Sequence, residues 1–111
     1  MESLEKRIAK LEYYQTLLQK MVDPDKYPFY VSVMNSGLSA EEIEEIYRIC
    51  DELSHMLAEQ KEQGLLNYMS LLTRFAGQLN YKLSVDDTIV SLHNQGMYVP
   101  LMTEFLTLIQ K

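Results

Sequence analysis

From Glu2 to Val22 the chain lacks Gly and Pro and places Leu4, Ile8, Leu11, Gln15, Leu18 and Val22 at spacings that alternate between four and three. That alternation is a heptad seam on one face of a helix. With Leu4, Leu11 and Leu18 at d, Ile8, Gln15 and Val22 fall at a. A β-branched a with leucine at d favours a parallel two-stranded coiled coil, here with one polar a position. Arg7 and Glu12 take g and e, with opposite charges across such a pair. A second apolar strip of Tyr14, Leu17 and Met21 widens the face. A helix packed against its own chain shows the same period, so the seam predicts burial without saying against what.

Asp23-Pro24-Asp25-Lys26-Tyr27-Pro28 ends this helix, because each proline lacks a donor and biases its predecessor away from the α region. The expected organisation is one domain over 1–111: a long amphipathic helix over 1–22, a Pro-containing break at 23–28 and a helical core over 29–111. Within that core Phe29 to Asn35 reads as a short helix stopped by Ser36-Gly37. Ser39-Ala40-Glu41-Glu42 is a capping box that opens a third helix, with Ile43, Ile46, Cys50, Leu53 and Leu57 inward and Glu44, Arg48 and Glu52 outward. Gly64 ends or kinks it. Leu65 to Tyr81 is the most apolar stretch and the expected central helix, turning Leu65, Tyr68, Met69, Leu72, Phe75, Ala76 and Leu79 to one side. Ser84-Val85-Asp86-Asp87 caps a fifth helix that closes at Asn94-Gln95-Gly96, and a sixth runs from Val99 to Gln110 with Pro100 in its first turn. No strand pattern appears. The fold class is all-α, a multihelical bundle of five to six helices with a long heptad-bearing N-terminal helix.

The composition, 47% hydrophobic and 23% charged over 111 residues, suits one globular domain. The formal charge of −6 is placed unevenly. Ser39 to Gly64 carries eight acids against Arg48 and Lys61, and the segments on either side are neutral. An acidic stripe repels phosphate backbones, so no nucleic-acid partner is expected. The single cysteine, Cys50, excludes an intrachain disulfide and a structural zinc set, and fits a reducing compartment. The charged start MESLEKRIAK and the lack of an 18-residue apolar run point to a cytoplasmic protein with no membrane attachment.

The order of landmarks carries a resemblance. MESLEKRIAKLEYYQ, DPDKYPFY, GLSAEEIEEIYRICDEL, LLTRFAGQLNYKLS and a C-terminal D-T-I-x-S-L-x-x-Q-G-M-Y-x-P-L-M together resemble the small YhaI-like proteins of Gram-positive spore-forming bacteria. The resemblance spans essentially the whole chain. It implies an all-helical cytoplasmic protein, and since that family's domain has no assigned function it implies no catalytic residues.

Few side-chain patterns in the chain point to chemistry. Glu52, His55 and Glu59 share a helix face, but di-iron bundles draw Glu-x-x-His from two helices and this chain holds the motif once. An exposed ion-pair surface is the plainer reading. Cys50 lies on an inward stripe with no base at hand, so it reads as a small hydrophobe. His93 suits a helix C-terminus, and Asp86 and Asp87 suit a first turn. No catalytic residue, metal site or cofactor is expected. The fifth and sixth helices outline a helix-turn-helix over 84–95 and 98–110, yet Val99 to Gln110 carries Glu104 and no Arg or Lys. Eight tyrosines and seven methionines read chiefly as core filler. Apolar faces in excess of one small core, clearest on the sixth helix at Tyr98, Val99, Leu101, Met102, Phe105, Leu106, Leu108 and Ile109, would meet another subunit or a partner.

The reading is a non-enzymatic homo-oligomer, a dimer by preference, that binds other proteins. Leu4, Ile8, Leu11, Gln15, Leu18 and Val22 are its candidate interface. The alternatives are a DNA-binding regulator and a small enzyme whose site forms between subunits.

Overall fold

In the computed structural model, which describes residues 1–110, the chain is all-helical: α1 (Leu4–Met21), α2 (Pro28–Ser36), α3 (Ala40–Gln63), α4 (Tyr68–Gln78), α5 (Val85–Asn94) and α6 (Val99–Ile109). Lys111, the end of the expected 29–111 core, lies outside the described residues.

The helix starts follow from local chemistry. Ser39 Oγ accepts from the Glu42 amide at 3.2 Å while Glu42 Oε1 accepts from the Ser39 amide at 3.0 Å, closing the capping box of α3. Ser84 accepts from the Asp87 amide at 3.4 Å, and Pro28 and Pro100 occupy first turns. At the far end of α3, Gly64 takes the left-handed conformation (φ 72°), which lets the Leu65 amide reach back to the Gln60 carbonyl at 3.2 Å.

That turn corrects the expected fourth helix. The Gln60 side chain accepts from the Asn67 amide at 2.7 Å, and Asn67 Oδ1 then caps a new helix through the Ser70 amide at 3.2 Å. The helix therefore begins at Tyr68, and Leu65 and Leu66 are left exposed in the connection. Its inward face also differs: Leu71 and Phe75 are buried, while Met69 and Ala76 face solvent.

α2 to α6 share one core built from Phe29, Val33, Ile46, Ile49, Cys50, Leu53, Leu57, Leu71, Phe75, Leu83, Ile89, Leu92, Leu101, Met102 and Phe105. The hub is α6, which packs on α3, α4 and α5. It is thus α6, and not the fourth helix, that is central. Three of its apolar side chains are fully buried, and Leu106, Leu108 and Ile109 are half-buried, so its apolar face is used within the chain. Phe75 and Phe105 meet across α4 and α6 at 5.4 Å between ring centroids. Tyrosine and methionine contribute less than expected, since Met102 alone among them is fully covered. Leu, Ile and Phe fill the interior instead.

The turn between α5 and α6 has a second task. Gln95 Oε1 accepts from the amides of Phe29 at 2.8 Å and Tyr30 at 3.1 Å, capping α2 from a position 66 residues away. α2 has no cap of its own, because its N-cap residue is Tyr27. The backbone bends to allow this. Gly96 and Tyr98 both have positive φ (78° and 52°), and for tyrosine that conformation costs about 1–3 kcal/mol unless packing holds it. Tyr98 is held against Tyr47 at 6.3 Å, next to Phe29. Gln95→Ala is expected to lower stability by about 1 kcal/mol, as other cap losses do, and to speed amide exchange at Phe29 and Tyr30 before it does so in α3.

Candidate interaction surface on the first helix

α1 is capped by Ser3, whose hydroxyl accepts from the Lys6 amide at 3.2 Å, and is continuous to Met21. None of its residues is buried. Leu4 is 69% exposed, Ile8 45%, Leu11 67% and Leu18 60%, although these are the side chains of the heptad seam. Tyr14, Leu17 and Met21 beside them are also open. The described molecule measures 63 × 25 × 21 Å, and eighteen residues at 1.5 Å rise make α1 about 27 Å long. It is an arm that leaves the body instead of packing on it. It meets the body at its C-terminal end, where Gln19 and Val22 lie beside Val31, Met34 and Asn35. The helix carries two acids and four bases, in contrast to the acidic α3.

The seam is shorter than the spacing suggests. Leu4, Ile8, Leu11, Gln15 and Leu18 are helical, but Val22 is the C-cap in an extended conformation (φ −83°, ψ 137°). Asp23 explains the stop: its carboxylate accepts from the Asp25 amide at 2.9 Å and its carbonyl accepts from the amides of Lys26 and Tyr27. Val22 instead walls an apolar groove of about 400 Å³ with Tyr27, Tyr30 and Met34. Sequence periodicity could not separate Val22 from the seam, because an a position and a C-cap residue differ only in backbone conformation.

The remaining candidates sit elsewhere. On α3, Arg48 bridges Glu45 at 2.6 Å and Glu52 at 3.0 Å, and Glu52 also pairs with Arg74 of α4 at 3.0 Å. His55 and Glu59 form an exposed pair at 3.0 Å. Cys50 is fully buried, and burial first, then the neighbouring Asp51, pushes its thiol up to about 12. The Tyr98 hydroxyl is likewise pushed up, first by burial and then by the Asp51 carboxylate. Both shifts favour the protonated group. The exposed residues of α6 include Val99, Pro100, Thr103 and Thr107. Among the described residues no group of three His, Cys, Asp or Glu side chains is arranged to hold a metal, and no helix is long and apolar enough to cross a membrane.

Glu42 is the most strongly perturbed carboxylate. Its carboxyl is held at about 2 by the Ser39 amide first, then by Asn80 Nδ2 at 2.7 Å and Lys82 Nζ at 3.2 Å. A carboxyl lowered in the folded state stabilises the fold above its unfolded value, about 4.5, and that contribution is lost as pH falls through about 2. Glu42→Gln should therefore be less stable than the parent at pH 7, with the gap closing between about pH 4.5 and 2 in urea titrations. A gap that stays constant across that range would show that this charge is not coupled to folding.

The arm, the joint and the five-helix body together account for the chain from its first residue to Gln110. A family model described as "Protein of unknown function (DUF1878)" matches residues 1–110, the same span. The chain belongs to the DUF1878 family. Since DUF1878 is a family of unknown function, membership transfers no catalytic or ligand-binding residues. It does bring the exposed arm within the matched region together with the body. The surface that stands out in this DUF1878 chain is the uncovered seam of α1. Of the residues that line the groove, Val22 is among the heptad candidates, whereas Tyr27, Tyr30 and Met34 were missed, their signal in the sequence being the aromatic pair around Pro28.

Proposed function

We propose that this chain is a non-enzymatic, self-associating module in which α1 pairs with α1 of a second copy and the α2–α6 bodies are presented to other proteins. The observation that carries the reading is that a helix with leucine or isoleucine at Leu4, Ile8, Leu11 and Leu18 buries none of them in its own chain. Isolated helices of this length are marginal in water, and apolar patches of this extent are uncommon on monomers. A second copy supplies the missing partner with matched chemistry, since Arg7 at g and Glu12 at e attract across a parallel pair. The fully buried single thiol, Cys50, supports a reducing, cytoplasmic setting as part of the same proposal. The test is mixed-copy capture: a tagged chain is co-expressed with an untagged one and purified on the tag. Self-association brings the untagged chain into the eluate at comparable yield. Its absence there, with both chains folded, would refute the reading.

A further inference from the structure

We infer that the paired chains run parallel and in register, and that the groove of Val22, Tyr27, Tyr30 and Met34 at the end of each α1 is closed by the same groove of the second copy. The inference rests on the self-association reading and deepens it by naming the second half of the interface.

Orientation follows from side chains that differ in the two arrangements. Along α1 the e positions are Glu5, Glu12 and Gln19, and the g positions are Arg7, Tyr14 and Met21. A parallel pair sets g against e of the next heptad, so Arg7 faces the partner's Glu12. An antiparallel pair sets e against e, which lines glutamates along one edge with no base among them. Gln15 discriminates as well. In a parallel pair an a residue faces its own copy, so the amide of Gln15 donates to and accepts from that of the partner's Gln15. In an antiparallel pair it faces a leucine, and an amide desolvated without a partner is costly.

The parallel arrangement has a consequence at the joint. Both bodies leave the seam at the same end, and Val22, the extended C-cap residue directly after the last helical turn, is the wall of the groove. In a parallel pair the two grooves therefore lie at the same end of the seam, where they can meet across the dyad axis. Tyr27 and Tyr30 stack with ring centroids 6.1 Å apart and an 8° interplanar angle, a flat aromatic wall suited to an opposing copy. The extra area is also needed. Five helical seam positions make fewer than three heptads, too short to hold a pair by themselves.

The experiment uses the full chain in two forms. Ile8→Cys and Leu18→Cys variants are oxidised mildly, alone and mixed, with buried Cys50 out of reach. Tyr30→Ser/Met34→Ser is followed by sedimentation over a concentration series, with far-UV circular dichroism as the check on folding, since both side chains are exposed in the single chain. The expected result is disulfide dimers of each cysteine variant alone, and a dissociation constant raised about tenfold or more by the double serine change. An unchanged dissociation constant with same-position disulfides would overturn the groove contact, leave pairing intact, and free the groove for a different occupant. Disulfides formed chiefly between Ile8→Cys and Leu18→Cys chains, an a and a d position that face each other only when the helices run antiparallel, would overturn the parallel register while leaving self-association standing. A parent chain that stays monomeric throughout would overturn both the inference and the reading beneath it.

Discussion

Phe105→Ala is expected to destabilise the fold by about 3–5 kcal/mol, the usual cost of emptying a buried phenylalanine site. Against a total of about 5–15 kcal/mol for a domain, this brings the chain close to its threshold. The reason lies in the position of α6. Phe105 is fully buried, lies near Phe75 with ring centroids 5.4 Å apart and belongs to the helix that packs on α3, α4 and α5, so truncating it opens a cavity inside the shared core. Urea titration followed by circular dichroism measures the change. A loss below about 1 kcal/mol would mean that α6 is not the hub.

The double change Ile8→Asp/Leu11→Asp separates the arm from the body. Both side chains are open in the single chain, so charge at these positions leaves the α2–α6 core untouched. Between paired helices the same aspartates face each other in an apolar seam, where desolvation and like charge oppose association. We expect the dissociation constant to rise about a hundredfold or more, which corresponds to about 2.7 kcal/mol or more. Helicity should fall only by part of the α1 contribution, because an unpaired helix of this length frays. Global unfolding of the variant would instead make α1 a core element of its own chain.

The capping box of Ser39 and Glu42, the serine at Ser84 and the prolines at Pro28 and Pro100 are short-range signals, and the helices begin within a residue or so of where they point. The fourth helix failed because its boundary is set by the Gln60 side chain bonding to the Asn67 amide across the Gly64 turn. An apolar Leu65-Leu66 reads as helix face until that contact is known. The central position of α6 and the capping of α2 by Gln95 are tertiary facts with no local trace, the second spanning 66 residues. At the candidate interface, the heptad was legible from Leu4 to Leu18, and the end of the seam at Val22 was not. The period of a helix reports which face is apolar, but what covers that face is decided by the angle at which Asp23 and Pro24 send the chain onward.

Light scattering behind size-exclusion chromatography, repeated from low to high loading of the unmodified chain, tests the self-association of α1 most directly. The predicted result is a mass of twice the 13.0 kDa of one chain, moving toward a single chain only at the lowest loadings. A constant mass of 13.0 kDa at every loading would contradict it and leave the apolar face of α1 for a different protein to cover.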